Sequence, residues 1–360
     1  MISRREFMAM MGLAGTSLFT GQCKTREEEN PVAESIRVAL SACDGYDFSL
    51  VLDRLREMFD LLGGITDLVK AGSIVGLKLN LTGGMAGDSV MRNQFGLTAP
   101  EGFWTHPVLA RAVGRLLLDA GAAKIYILDG VFDDRSFASY GYDVLAEELG
   151  GRTIDLNRSA PYDDFVTRAI ARSQIYPELR LNRLLTELDL YVSISKLKCH
   201  RNSGVSLGLK NSVGVLPIGF HKLNPEDGSR SELHGTGEEY RTRLPRAIVD
   251  IARAVPIHLS IIDGISTIDG GEGPWAENAA PVSPGVLIAG KDAVAVDATG
   301  TAVMGFDPEA AHYSSPFLNS ENHLKLAREA GLGENRLSKI DLVGQSIDSL
   351  RYPFTPCPHQ

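Results

Sequence analysis

The sequence predicts an α/β fold: a mostly parallel sheet with helices on both faces and a long Gly/Lys/His loop at the carboxyl ends of the strands. Short apolar runs alternate with helical patterns beyond residue 35, and this alternation is typical of a parallel sheet. Polar residues directly follow several of these runs. Ligand crevices in such sheets lie outside the carboxyl ends of the strands. The 360 residues, with 44% hydrophobic and 22% charged residues, are sufficient to form a large core.

The individual elements follow from the period of the apolar positions. Thr105-His106-Pro107 marks a helix start, with the threonine as N-cap candidate and the proline in the first turn. Helices are predicted at 48–62, 105–120, 136–149, 244–255, 292–304 and 322–330. Strands are predicted at 36–40, 74–80, 124–128, 153–156, 190–194, 259–262, 285–289 and 340–343.

The two ends of the chain are expected to lie outside this fold. Residues 1–22 contain Arg4-Arg5 followed by a short apolar run, which is typical of a twin-arginine export signal and predicts a periplasmic or cell-envelope location. The run is shorter than the ~20 residues of a permanent membrane anchor. A polar linker at 23–35, a single domain at 36–350 and a tail at 351–360 complete the expected organisation. Cys23 is an alternative lipid-attachment point.

Composition excludes several classes of partner and cofactor. The formal net charge of −9 argues against nucleic acid and anionic membranes as partners. The four cysteines form no Cys-x-x-Cys pair, which excludes a zinc ribbon and a complete iron–sulfur motif on spacing. A disulfide framework is not expected at this cysteine count.

Polar residues at the predicted strand ends are candidates for a shared site. Lys78 and Asn80 end one strand, Asp129 ends the next, and Asp263 ends a later one. Parallel strands would bring these ends to one edge of the sheet. The alternative is that strand ends are loop starts, where polar residues are common.

The segment from Ser195 to Gly214 carries most of the predicted chemistry. It contains three lysines, an arginine, a histidine, two asparagines and three glycines. Glycines allow backbone amides to approach an anion, and lysines neutralise its charge. The alternative is a solvated basic loop, although apolar residues alternate through the segment.

Within and around this segment we assign roles by residue type. A buried lysine loses its proton more easily and becomes a nucleophile or base, which makes Lys210 and then Lys198 catalytic candidates. His200 is a candidate acid/base group or metal ligand. The metal candidates are His200, His221 and Asp263, with His234 as a further histidine in the loop. The ligand-binding candidates are Lys78, Asn80, Lys196, Asn211, His106 and Asp129.

Three further motifs have ordinary explanations. Residues 204–208 spell Gly-x-Ser-x-Gly, but a nucleophile elbow needs a strand–turn–helix context that is not predicted here, which disfavours a serine hydrolase. Asp292 and Asp297 lie at the start of a predicted helix and are expected to cap it. Asp269 and Glu272 extend the acidic loop after Asp263, which could bind a cation or form a turn.

The pattern from Lys196 to Gly214 resembles the hallmark of the domain-of-unknown-function 362 family. It reads Lys-x-Lys-x-His followed by Gly-x-Ser-x-Gly-x-Lys-Asn-x-x-Gly. Further matching positions extend over 74–305 in the same order. The family has no settled activity, and the ferredoxin-like module of some members needs cysteines that this chain lacks.

The spacing of His200 and Lys210 also resembles the active-site loop of nickel-pincer lactate racemases. This resemblance implies Lys210 as the attachment point of a nickel-pincer cofactor, His200 as acid/base group and His221 as a nickel ligand. The racemase's carboxylate-binding arginine has no counterpart that can be assigned in this chain.

Two functional hypotheses remain open from the sequence. One is an exported enzyme, a metal- or pincer-cofactor-dependent isomerase or oxidoreductase that acts on a small anion such as a hydroxy acid. The other is a non-catalytic carrier that holds an anion or a metal.

Overall fold

A computed structural model describes residues 35–358 of the chain. The predicted export signal, Cys23 and nearly all of the predicted linker lie outside the described residues. None of the helices in the described part is both long and apolar enough to cross a membrane.

Fourteen strands are present in residues 35–358, and eight of them form the main sheet. Their bounds are β1 Arg37–Ala42, β2 Ile74–Lys78, β3 Lys124–Asp129, β4 Thr153–Asp155, β5 Val166–Ala169, β6 Glu178–Leu181, β7 Leu190–Lys196, β8 Cys199–His200, β9 Gly204–Val205, β10 Leu259–Gly264, β11 Thr267–Asp269, β12 Ala280–Val282, β13 Val286–Gly290 and β14 Asp341–Gly344. The order in the main sheet is β14-β1-β13-β10-β7-β2-β3-β4.

Helices connect the strands of the main sheet and cover it. Their bounds are α1 Phe48–Leu61, α2 Gly84–Phe95, α3 Ala99–Gly102, α4 Pro107–Asp119, α5 Arg135–Ala138, α6 Tyr142–Glu148, α7 Gly208–Asn211, α8 Arg243–Ala254, α9 Ala293–Val303, α10 His323–Glu329 and α11 Ile347–Leu350.

Two apolar cores lie on opposite faces of the sheet because strand side chains alternate between the faces. In β1, Leu40 belongs to the core shared with α8, α9 and α10, whereas Ala39 belongs to the core shared with α1, α4 and α6. Helices therefore cover both faces, and the predicted α/β fold with a mostly parallel sheet is confirmed.

The strand directions place the predicted polar residues at one edge. Seven of the eight strands of the main sheet are parallel to one another, and β13 runs antiparallel to β1 and β10. Lys78, Asp129, Lys196 and Asp263 lie at or next to the ends of β2, β3, β7 and β10. These four ends share the carboxyl edge of the sheet.

Several elements differ from the sequence prediction. The predicted helix 136–149 is two helices, α5 and α6, separated by Gly141 with φ +71°. Helix α2 and the β5–β6 hairpin were not predicted. The stretch predicted as a long loop, 195–237, contains β8, β9, α7 and several 3-10 turns. These short elements depend on tertiary contacts, since an isolated turn of helix is marginal.

The C-terminal segment, residues 351–358, packs against the rest of the domain. Phe354 is buried, and its backbone N–H donates to Met304 O at 2.9 Å. Thr355 N–H donates to the Asp269 carboxylate at 2.8 Å. The segment therefore lies close to the end of β11.

Candidate functional site

A cavity of about 300 Å³ opens at the carboxyl edge of the sheet, and we call it the lysine cavity. The ends of β2 and β3, the β8–β9 hairpin and α7 form its walls. Seven of the residues predicted from sequence line it: Lys78, Asn80, Asp129, Lys198, His200, Lys210 and Asn211.

The short helix α7 carries Lys210 and Asn211 to this cavity. Its first N–H groups would be unsatisfied, but the Asp297 carboxylate accepts from Gly208 N at 2.7 Å and Leu209 N at 2.9 Å. Burial raises the pKa of Asp297 to about 7, against the opposing effect of these two bonds. Of the two aspartates predicted to cap α9, Asp292 does so, whereas Asp297 caps α7.

One lysine of the cavity, Lys78, forms an ion pair with a carboxylate. Lys78 Nζ lies 2.7 Å from Asp129 Oδ1, and both side chains are buried. Asn211 Oδ1 accepts from the same ammonium at 3.2 Å. A Cβ at Gly214 would lie 2.6 Å from Lys78 Nζ, which explains the glycine that closes the motif. Burial lowers the pKa of Lys78, and Asp129 opposes that shift.

Two other lysines of the cavity have no carboxylate partner within the part of the chain that the structure describes. Lys198 Nζ donates to the carbonyl oxygens of Phe103 at 3.1 Å and Glu272 at 2.9 Å. Lys210 Nζ makes no hydrogen bond and no ion pair with residues 35–358. Burial, followed by the charge of Lys210, lowers the pKa of Lys198 to about 7. Burial lowers the pKa of Lys210 to about 8.

Two histidines face the same space as these amines. His200 Nδ1 accepts from Asn202 N at 3.1 Å, which leaves Nε2 to carry the proton of the neutral ring. The rings of His200 and His234 are stacked with centroids 6.3 Å apart. Burial and then Lys210 lower the pKa of His200 well below its usual range and that of His234 to about 4. Both imidazoles are therefore neutral at pH 7.

Arg230 is a cavity residue that the sequence analysis missed. Its guanidinium is buried and donates to Gly130 O at 3.1 Å and Asn157 Oδ1 at 3.3 Å. It forms no ion pair with the described carboxylates. Burial lowers its pKa to about 10. A single arginine in an irregular loop has no periodic or motif signal by which it could be recognised.

The charges that line the cavity are predominantly positive. The Asn202 side chain also lines it, and its buried amide nitrogen has no hydrogen-bond partner among the described residues. The cationic side chains are Lys78, Lys198, Lys210 and Arg230, and the carboxylates are Asp129 and Glu272. An anion of small size matches this charge balance.

Three predicted site residues, Lys196, Asp263 and His106, lie outside the lysine cavity, and together with Tyr46 they form what we call the closed cluster. Lys196 Nζ lies 2.9 Å from both Asp263 Oδ2 and Tyr46 Oη. The His106 ring stacks on Tyr46 at 3.6 Å, and its Nδ1 caps α4. The structure therefore does not bring Lys196 and His106 to the cavity, because neighbouring groups satisfy them.

The predicted metal set is not assembled. Asp263 neutralises Lys196, and His221 Nδ1 lies 3.3 Å from Glu232 Oε2 in a separate loop contact. Within residues 35–358, no group of three or more His, Cys, Asp or Glu side chains is arranged to hold a metal ion. Lys210 has the free amine that a covalent cofactor needs, and His200 and His234 line the same cavity, but His221, the predicted nickel ligand, does not.

The chain is similar to one described protein family and to one cyanobacterial protein. A family model described as Domain of unknown function (DUF362) matches residues 90–302. A thylakoid-associated protein of Synechocystis sp. is 27% identical over 273 residues, which cover 75% of each chain.

Two solved structures are similar to this chain, each with a low TM-score. The lactate racemase apoprotein from Thermoanaerobacterium thermosaccharolyticum has a TM-score of 0.35 and 16% identity, over 69% of this chain and 54% of that one. A protein from Thermotoga maritima has a TM-score of 0.33 and 13% identity, over 67% of this chain and 55% of that one. The aligned part spans about half the length of each, and no functional conclusion follows from these two scores.

Proposed function

This chain belongs to the DUF362 family, and we propose that it is an enzyme that binds a small anionic substrate in the lysine cavity and transfers a proton there. One observation carries the proposal. Lys198 is a buried amine and Lys210 a half-buried one, and neither has a carboxylate partner among residues 35–358, in a cavity whose charged groups are mainly cationic.

The anionic group of the substrate would bind between the unpaired cations. A buried cation without a counter-ion is costly, and a bound carboxylate or phosphate relieves that cost. Arg230 offers planar donors suited to such oxygens. The unpartnered amide of Asn202 offers one more donor. A cavity of about 300 Å³ suits a substrate of a few carbon atoms.

Proton transfer would use groups whose pKa values lie near neutrality. An amine with a pKa of about 8, such as that of Lys210, has roughly a tenth of its molecules neutral at pH 7. Lys198, with a pKa of about 7, is about half neutral there. General bases and acids work best when their pKa lies near the operating pH. Two such amines in one cavity supply both partners for an isomerase.

The neutral ring of His200 would act as a hydrogen-bond donor through Nε2 and orient the substrate. Asp297 would act by fixing α7 and so the position of Lys210. A racemisation at the carbon next to a carboxylate, as in a hydroxy acid, is the most concrete form of the reaction. No step is routed through a nickel-pincer group, because His221, its predicted nickel ligand, lies outside the lysine cavity.

Binding and exchange measurements test this proposal together. Calorimetric titration with small 2-hydroxy acids and inorganic phosphate should give binding that weakens at least tenfold in Lys210→Ala. In D₂O, proton NMR should show exchange of the hydrogen at C2 of a bound hydroxy acid, and Lys210→Ala should abolish it. Lys124→Ala is the control, because Lys124 is exposed at the start of β3, at the opposite edge of the sheet.

The two readouts also separate the enzyme from a carrier. Binding without exchange for every hydroxy acid tested would favour the non-catalytic carrier. If no small anion binds, or if Lys210→Ala binds as well as the wild type, the assignment of the cavity is wrong.

We also propose export by the twin-arginine machinery, which Ser3-Arg4-Arg5 supports. Replacement of Arg4 and Arg5 by lysine should leave the chain in the cytoplasm, and cell fractionation of the wild type should recover it from the periplasm or cell envelope. Equal distribution of the two forms would contradict this location.

A further inference from the structure

Two cysteines that are far apart in sequence lie next to each other in the fold. Cys199 is the first residue of β8 and is fully buried, and Cys357 lies in the C-terminal segment and is also buried. The neighbouring Cys357 thiol, followed by burial, raises the pKa of Cys199 well above its usual value. Cys199 Sγ also donates to Thr355 O at 3.4 Å. The thiols share one apolar core and are not bonded covalently.

The C-terminal segment is held in this position by contacts that do not involve sulfur. Its backbone N–H groups at Tyr352 and Phe354 donate to Val303 O and Met304 O, each at 2.9 Å. Thr355 N–H donates to Asp269 at 2.8 Å. Asn319 Nδ2 donates to Pro358 O at 2.8 Å. These contacts bring Cys357 to Cys199 whether or not a covalent bond forms.

We propose that Cys199 and Cys357 form a disulfide that fixes the C-terminal segment to the β8–β9 hairpin at the wall of the lysine cavity. Adjacent sulfur atoms need only close the remaining gap to the bond length of about 2.05 Å. The proposal does not depend on the proposed reaction, since it concerns the covalent state of the chain. An oxidising compartment, where export would deliver the chain, is where such bonds persist.

The oxidant is a disulfide of low molecular weight, such as oxidised glutathione, and the reaction is thiol–disulfide exchange. Cys357 loses its proton, and the thiolate attacks the oxidant and releases one glutathione thiolate. Cys199 then loses its proton, attacks the mixed disulfide and releases the second glutathione. The two cysteines lose two electrons and two protons in total, and one oxidised glutathione becomes two reduced molecules.

The bond would act on both the fold and the cavity. A cross-link between distant residues restricts the unfolded chain and so stabilises the folded one. Cys199 lies between Lys198 and His200, which both line the lysine cavity. The disulfide would therefore anchor that wall to the end of the chain.

Refolding in a glutathione redox buffer tests the inference. Reduced, denatured full-length protein is refolded with reduced and oxidised glutathione, remaining thiols are alkylated, and peptides are mapped by mass without reduction. The expected result is that most molecules contain the Cys199–Cys357 peptide pair. Reduction should then lower the melting temperature by on the order of 5 °C.

Cys43→Ser is the matched control, because Cys43 is buried in the other apolar core and its thiol donates to Gly45 O. This variant should form the same linked pair and show the same melting shift, whereas Cys357→Ser should show neither. Peptide mapping of the wild type does not depend on how well any variant folds. Alkylation of both Cys199 and Cys357 in the refolded wild type, or pairing of Cys357 with another cysteine, would overturn the inference.

Discussion

Lys196 and Lys198 are two residues apart in the chain but lie in opposite electrostatic surroundings. Lys196 is in the closed cluster, where Asp263 and Tyr46 satisfy its ammonium. Lys198 is in the lysine cavity, where its ammonium donates to two carbonyl oxygens and lies near Lys210. Both are completely buried. Burial alone therefore does not make a lysine a candidate for function, and the lack of a counter-charge in a cavity is the second criterion.

We expect the largest loss of stability when the ion pair of the closed cluster is broken. Asp263→Asn leaves the Lys196 ammonium buried without its counter-charge, and we expect a loss of about 3–5 kcal/mol in the free energy of unfolding. Urea denaturation at pH 7 measures it. The double variant Asp263→Asn with Lys196→Met should recover part of the loss, because it removes both charges. A loss below about 1 kcal/mol in the single variant would mean that the pair is not a structural unit.

The second prediction concerns pH and Lys198. Its folded-state pKa of about 7 lies below the ordinary lysine value, so the unfolded chain binds more protons at any pH between these two values. Stability from this group therefore rises as pH increases from about 7 toward 10, by about 3 kcal/mol.

Urea denaturation of the wild type and Lys198→Met at pH 6.5 and pH 9.5 checks this slope. The difference between the two proteins should shift in favour of the wild type at the higher pH. An unchanged difference would show that Lys198 keeps an ordinary pKa in the fold.

The third prediction separates binding from stability at Lys210. This ammonium has no hydrogen bond or ion pair within residues 35–358, and its lowered pKa means that the fold disfavours the charge. Lys210→Met should therefore leave the free energy of unfolding at pH 7 unchanged or raise it. Anion binding should nevertheless be lost, as in Lys210→Ala. Denaturation and calorimetry on the same sample measure both. A large loss of stability with intact binding would assign Lys210 to the scaffold.

The smallest effect is expected at an exposed lysine pair. Lys291 Nζ lies 2.8 Å from Asp67, and both side chains are partly exposed. Asp67→Asn should cost about 0.5 kcal/mol, and the cost should decrease with added salt. A cost as large as that of Asp263→Asn would remove the distinction between buried and exposed pairs.

The sheet could be predicted because apolar strands and amphipathic helices are local patterns. The convergence of Lys78, Asp129 and Asp263 at one edge followed from the parallel order. Helix α2 could not be predicted, since its glycines disfavour a helix. Gly83, just before it, has a φ of +77° and lies so close to the Trp275 ring that a Cβ would be 2.6 Å from it.

The candidate site was predicted only in part, because contacts between distant segments decide it. The sequence does not tell which lysine of 196–210 is neutralised by an aspartate. Arg230 and the pairing of Cys199 with Cys357 depend on loops and a chain end whose placement no local pattern encodes.

Competitive labelling of lysine amines over pH tests the central claim most directly. The folded protein is treated with a trace of acetic anhydride from pH 6 to pH 11, and the extent of modification at each lysine is determined by peptide mass mapping. Labelling of Lys210 should rise with a midpoint near pH 8, and Lys196 should stay unlabelled while the protein is folded. A Lys210 midpoint near the ordinary lysine value, or labelling of Lys196 in parallel with Lys210, would contradict the account.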